Sequence, residues 1–317
     1  MIKNKALLIF SVSTTLFCIN SYAEESAETN NKWDGWLSGE GAYTDGSSFG
    51  DFNSFIPLTQ DDSGLSYLNI LAEADDDFAE GQAGYGYRQI INEDWAIGGY
   101  GFLGNKRTEH NNNFYQLNFG AEVVSFDWDF RFNFYIPIGD KEKEVSRNAA
   151  TNQIRKEFAY HGADLEVGYR LPFWDETDDS QMRIYGGSYY FDADGAEHIA
   201  GGRVRLEYDI ANIVSSIPGS SITLGAEYQH DNVNKETNLL TAAFTVPFDF
   251  FRSNKQSQYN SLSPLEKRMS RIRSRRVSVT TSVETDPLTT VTEPAPPVVV
   301  PPPLPEPEPE PLPDEAP

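Results

Sequence analysis

Four histidines, His110, His161, His198 and His230, are the side chains in this sequence best suited to acid–base or metal chemistry. Asp231 follows His230 and sets a carboxylate beside an imidazole. No two histidines share the short spacing that a metal hydrolase uses. Asp, Asn and Glu are frequent around all four, so composition alone brings a carboxylate near each. The expectation is a chain with no catalytic residue, no cofactor and no metal. A stronger signal is electrostatic. Residues 267–276 carry Lys267, Arg268, Arg271, Arg273, Arg275 and Arg276 and no acid, in a protein of formal charge −23. Such a run can pair with carboxylates or rest against anionic lipid or peptidoglycan.

Carboxylates able to receive this run must be gathered on one interior, and segments of period two do that. Between Trp128 and Ile136 one face is Trp128, Phe130, Phe132, Phe134 and Ile136, and the other is Asp129, Arg131, Asn133 and Tyr135. Tyr115–Val123 turns Gln116, Asn118 and Glu122 to the polar side, Ala163–Leu171 turns Asp164, Glu166 and Arg170, and Ala200–Tyr208 turns Arg203, Arg205 and Glu207. Weaker copies lie at Trp36–Thr44, Phe52–Leu58, Tyr67–Ala74, Gln82–Ile90, Trp95–Leu103, Met182–Tyr190, Ile222–His230 (with Glu227) and Leu239–Phe248. A strand that meets lipid on one side and a wet lumen on the other alternates over about 9–11 residues. These segments predict an all-β fold, a twelve-stranded antiparallel transmembrane β-barrel. Its lumen would be lined by Glu122, Asp129, Asp164, Glu166, Glu207 and Glu227 among Arg131, Arg203 and Arg205, with the basic run inside. An even strand count brings both ends to one side.

The connections fit an orientation with both ends in the periplasm. Gly139–Glu157, Gly104–Asn113 and Phe191–Glu197 are the expected outer loops, and Asn92–Asp94 and Ser125–Asp127 are tight inner turns. Trp95, Trp128, Phe173, Trp174, Phe248, Phe250 and Phe251 cluster near strand ends, where interfacial girdles belong. The blander reading of the same alternation is a secreted β-sandwich.

Composition and the N-terminus set the compartment. With 48 acidic against 25 basic residues, nucleic acid is excluded as a partner. Residues 1–23 read as a cleaved signal peptide: Lys3 and Lys5, an apolar stretch from Ala6 to Ile19, and small residues at Ser21 and Ala23. Cys18 is the sequence's one cysteine and falls inside that segment, so disulfides and thiol chemistry are not expected of the mature chain. The expected order is a short lead at 24–34, the barrel at 35–251, a basic linker at 252–285 and a proline-rich disordered tail at 286–317.

Three stretches carry a family resemblance: Phe55-Ile-Pro-Leu-Thr-Gln-Asp-Asp-Ser-Gly-Leu-Ser-Tyr-Leu68, Gly84-Tyr-Gly-Tyr-Arg88 and Asp94-Trp-Ala-Ile-Gly-Gly-Tyr-Gly101. Together with the later Asp164–Pro172 and Leu224–Tyr228 and the basic Leu262–Ser270, they resemble the β-domain of inverse autotransporters, the intimin/invasin type. The resemblance spans about residues 35 to 280. It implies a twelve-stranded barrel with periplasmic ends, through whose lumen the following chain turns back to display a C-terminal passenger. The sequence departs from the family pattern at both flanks. No peptidoglycan-binding module is expected before Trp33, and no immunoglobulin-like domains are expected after the barrel.

From Pro294 to Pro317 the chain is dominated by proline and acid, which removes ladder donors and predicts a polyproline rod. At ~3.1 Å per residue it would reach roughly 74 Å. The expected partners are outer-membrane lipid, the barrel-assembly machinery and periplasmic chaperones, with peptidoglycan or a surface partner for the tail, and the barrel is expected to be monomeric. Two functions remain open: surface display of the C-terminal segment, or a small channel or structural protein whose tail stays in the periplasm.

Overall fold

The twelve alternating segments are the walls of one closed barrel. The structure, a computed structural model, describes residues 32–45, 47–175, 179–248, 259–271 and 278–287. The expected signal peptide, Phe250 and Phe251, and the tail from residue 288 lie outside the described residues. In chain order the strands are β1 (Trp36–Thr44), β2 (Ser47–Gln60), β3 (Gly64–Ala74), β4 (Ala79–Ile90), β5 (Trp95–Arg107), β6 (Asn113–Ser125) and β7 (Trp128–Ile138). There follow β8 (Glu142–Asn148), β9 (Gln153–Ala159), β10 (His161–Arg170), β11 (Ser180–Asp192), β12 (Ile199–Ala211), β13 (Ser221–Asp231) and β14 (Lys235–Pro247). After the barrel come helix α1 (Pro264–Arg271) and β15 (Thr281–Pro287).

All strands but β8, β9 and β15 close the barrel, each antiparallel to its neighbours, with β7 paired to β10 and β1 to β14. Trp36 lies opposite both Phe55 and Pro247, so the barrel begins and ends at the same mouth, here the entry mouth. Closure removes the unpaired edges that hydrocarbon would not tolerate. The turns are built by Asx side chains standing in for backbone. Asp61 Oδ1 accepts from the N–H groups of Ser63 and Gly64 at 2.8 and 2.7 Å, and Asn92 Oδ1 from those of Asp94 and Trp95.

Period two then sorts the faces. On β7 the aromatic row Trp128, Phe130, Phe132 and Phe134 is exposed to the lipid side, while Asp129, Arg131, Asn133 and Tyr135 are buried in the lumen. Large lumenal rings fit because glycines face them across the wall. A Cβ at Gly86 would come within 2.3 Å of the Tyr67 ring, and one at Gly120 within 2.1 Å of Tyr100.

Two expectations need correction. Gly139–Glu157, read as a polar loop, is the β8–β9 hairpin standing above the far mouth. Its alternation is masked because most of β8 faces solvent, while Ile154 and Phe158 of β9 are buried. Phe248, assigned to a girdle, is buried instead, its ring lying over Gly35.

Candidate functional site: the occupied lumen

The entry half of the lumen holds α1. Its start is a reciprocal cap: the Ser263 N–H donates to Glu266 Oε2 at 2.7 Å and the Glu266 N–H to Ser263 Oγ at 3.3 Å, with Pro264 at the first helical position. One face, Leu265 and Met269, packs on Trp33, Trp36, Phe55, Leu65 and Tyr67. The other carries Lys267, Arg268 and Arg271.

A helix C-terminus leaves carbonyls without partners, and the barrel supplies donors for them. Trp36 Nε1 donates to Ser270 O at 2.7 Å and Arg88 Nη1 to Met269 O at 2.7 Å; Trp33 Nε1 donates to Glu266 O at 2.8 Å. Asp129 pairs with both Arg268 and Arg183, and Arg271 lies 3.1 Å from Asp209 and donates to Gly219 O. Lys267 stands over the Tyr259 ring, its Nζ 5.1 Å from the centroid.

Around the middle of the wall runs a chain of buried ion pairs. Arg88 Nε is 2.6 Å from Glu122, and Arg131 bridges Glu122 at 3.7 Å and Glu166 at 3.3 Å. Arg203 reaches Asp164 at 3.2 Å and Glu166 at 3.4 Å, and Arg205 joins Glu166 at 2.9 Å, Glu207, and Glu227 at 3.6 Å. Each carboxylate has at least one cationic neighbour, on its own strand or one or two strands away, which is the condition for keeping such groups charged away from water. The longer contacts are charge–charge only: Glu122 Oε2 and Arg131 Nε make no hydrogen bond.

Eight of the nine lumenal residues named from the sequence fall in this chain of ion pairs, and Asp129 pairs instead with Arg183 and Arg268. Lys267, Arg268 and Arg271 sit on α1, whereas Arg273, Arg275 and Arg276 lie outside the described residues. The residues that sequence reasoning missed are Arg88, Arg183, Asp209 and the tryptophans Trp33 and Trp36. Arg88 shares the inward parity of Gly84 and Gly86, a signal that was there to be read.

The histidines take no part in this network. His110 lies in the β5–β6 connection, His161 opens β10, His198 precedes β12, and His230 lies near the far end of β13. Asp231 faces inward, accepting from Tyr189 Oη at 2.9 Å, while His230 is exposed on the opposite face. Among the described residues no group of His, Cys, Asp and Glu is arranged to hold a metal. A Gly-x-Ser-x-Gly string, Gly46-Ser47-Ser48-Phe49-Gly50, does occur. Ser48 is exposed on β2, opposite Tyr43, and strand rather than helix follows it, so it is not a nucleophile elbow.

At the far mouth the chain reappears. Ser278 and Val279 are held by Glu80 and Lys106, and β15 joins β9 to make a three-stranded sheet, β15-β9-β8. Phe158 of that sheet packs on Tyr135, Tyr160, Phe191 and Ile199 across the rim.

Residues 26–192 match the family model described as inverse autotransporter, beta-domain. The chain belongs to the inverse autotransporter β-domain family. This β-domain is an outer-membrane barrel in contact with membrane lipid. A chain solved in work on the in-meso crystallization of membrane proteins superposes with a TM-score of 0.54 at 15% identity, over 78% of this chain and 100% of its own, and shows the fold. An outer-membrane channel from Pseudomonas putida F1 gives a TM-score of 0.48 at 12% identity, over 70% of this chain and 100% of the channel. No curated protein matches the sequence.

Proposed function

We propose that this β-domain anchors its own C-terminal segment in the outer membrane and presents it at the cell surface. The observation that carries the reading is the course of the described chain. Arg271 is held at the entry mouth by Asp209 and Gly219, and Ser278 at the far mouth by Glu80. Six residues join them, including Arg273, Arg275 and Arg276, and the lumen wall between carries the acids Glu40, Asp51 and Glu73. With the entry mouth in the periplasm, the tail after β15 emerges outside. The barrel-assembly machinery and periplasmic chaperones would deliver the barrel, and a surface ligand would be the tail's partner. The test is protease shaving of intact cells carrying a tag after Pro317. Removal of the tag is expected; a tag removed only after permeabilisation sinks the reading. A second reading, a small channel with a periplasmic tail, draws on a cavity of about 320 Å³ left beside α1. It requires the tag to be protected.

A further inference from the structure

The geometry points to a strand-capture site at the far mouth, whose occupant is residues 278–285 of the same chain and whose role is to keep the exported segment from sliding back. It rests on the reading of the far mouth as the cell-surface side. Three parts build it. Glu80, buried within the wall, accepts from the Val279 N–H at 3.1 Å and from Ser278 Oγ at 2.8 Å, while Lys106 Nζ donates to Val279 O at 3.0 Å. One acid and one base 4.0 Å apart thus hold the N–H and the carbonyl of a single residue. They read backbone, so any residue could pass between them during export.

The second part supplies a stop. The Val279 side chain is fully buried against Phe114 and Ala159. A small apolar side chain fits there, and its immediate neighbours Ser278 and Thr280 are polar. The third part is the open edge of β9, which pairs with β15 from Thr281 opposite Ala159 to Pro287 opposite Gln153. Tyr160 extends this ladder, its N–H donating to Thr280 O at 3.0 Å and its hydroxyl lying 2.7 Å from Ser282 Oγ. The hairpin is fixed in turn: Glu157 accepts from Thr108 Oγ1 at 2.9 Å and Asn112 Nδ2 at 2.7 Å on the β5–β6 connection. An anchored, already twisted hairpin offers an arriving extended chain a ladder without the cost of ordering both partners.

The ladder's phase gives a sharp test. The Tyr160–Thr280 bond marks a hydrogen-bonded pair, and such pairs recur at every second residue of an antiparallel ladder. Ser282 and Glu284 therefore turn their N–H toward β9, and Val283 turns its N–H away. Ser282→Pro and Glu284→Pro remove ladder donors, whereas Val283→Pro places the same ring at a position without one. In full-length protein tagged after Pro317, S282P and E284P are expected to lower the fraction of tag shaved from intact cells several-fold, with V283P near wild type. Three variants alike would overturn the capture site. A disulfide in the Arg155→Cys/Thr285→Cys double variant, opposed in the ladder, is expected within one chain. Its absence, or its formation between two chains, would also count against the site. Formation of that disulfide with the wild-type tag protected from outside leaves the pairing intact, but overturns the surface reading and the retention role with it.

Discussion

At the entry mouth a helix is held by particular side chains reaching particular carbonyls, while at the far mouth a strand is held by its backbone. Trp36 and Arg88 cap the carbonyls of Ser270 and Met269, and Asp129 takes Arg268. Those bonds specify one segment in one position. The far mouth binds through a β-ladder and a peptide grip, with Val279 as the side chain fully buried there. The difference teaches how one lumen can both pass a chain and seal around it. Backbone contacts tolerate changing sequence, and side-chain contacts fix the end point.

Removing one partner of each mouth's main ion pair should break the symmetry most. Arg88 is buried, pairs with Glu122 and caps Met269 O. Arg88→Met is expected to cost about 3–5 kcal/mol, because it leaves a buried carboxylate without its nearest cation. Lys106 is 4.0 Å from Glu80, which keeps donors in Gln82, Ser278 and Val279, so Lys106→Met is expected to cost less, about 1–2 kcal/mol. Urea midpoints of the folded barrel, read by gel mobility without heating, compare the two. Equal shifts would mean that both mouths depend equally on charge.

A smaller effect sharpens the contrast at two inward glycines of β5. A Cβ at Gly98 would lie 2.9 Å from Glu122 Oε1 and 3.1 Å from Arg88 Cγ, two side chains locked in one pair. At Gly104, nearer the far mouth, the nearest atom is Gln82 Cγ at 3.3 Å. Gly98→Ala is expected to destabilise by about 1–2 kcal/mol through crowding, and Gly104→Ala by clearly less. The same urea measurement decides it; a larger loss at Gly104 would contradict the tighter entry end.

What could be read from the sequence follows the range of the interactions. The alternation of Asp129, Arg131 and Asn133 with Phe130 and Phe132 is local, and it gives the face of each residue without further information. Arg88 follows from the same parity but was hidden among glycines and tyrosines. Trp33 and Trp36 could not be assigned, since their partners Glu266 and Ser270 lie more than 230 residues away. The alternation of Arg271, Arg273 and Arg275 in the sequence suggests an extended segment. Arg271 instead ends a helix, started by the Ser263–Glu266 cap, a local signal that the charge pattern overshadowed. The β8–β9 hairpin looked like a loop because water, rather than lipid, faces most of it.

The smallest expected effect is a titration at the entry mouth. Burial opposes charge on Glu266, but the hydrogen bond with Lys32 and those from Ser263 outweigh it and hold the carboxyl below its ordinary 4.5. A lowered folded value means that the group stabilises α1 fully above about pH 4.5 and ceases to do so as pH falls through that lower value. The cap contributes on the order of 1 kcal/mol, enough to loosen the helix without unfolding the barrel. Single-channel conductance of the full-length protein should therefore be low near neutral pH and rise at strongly acidic pH. Glu266→Gln should raise it at neutral pH and flatten the acid-dependent rise. The far mouth has its own buried carboxylate at Glu80, whose grip on Val279 the Glu266→Gln change leaves in place. If the acid rise persists unchanged in Glu266→Gln, the pH response does not come from the helix cap, and the far mouth becomes the place to look.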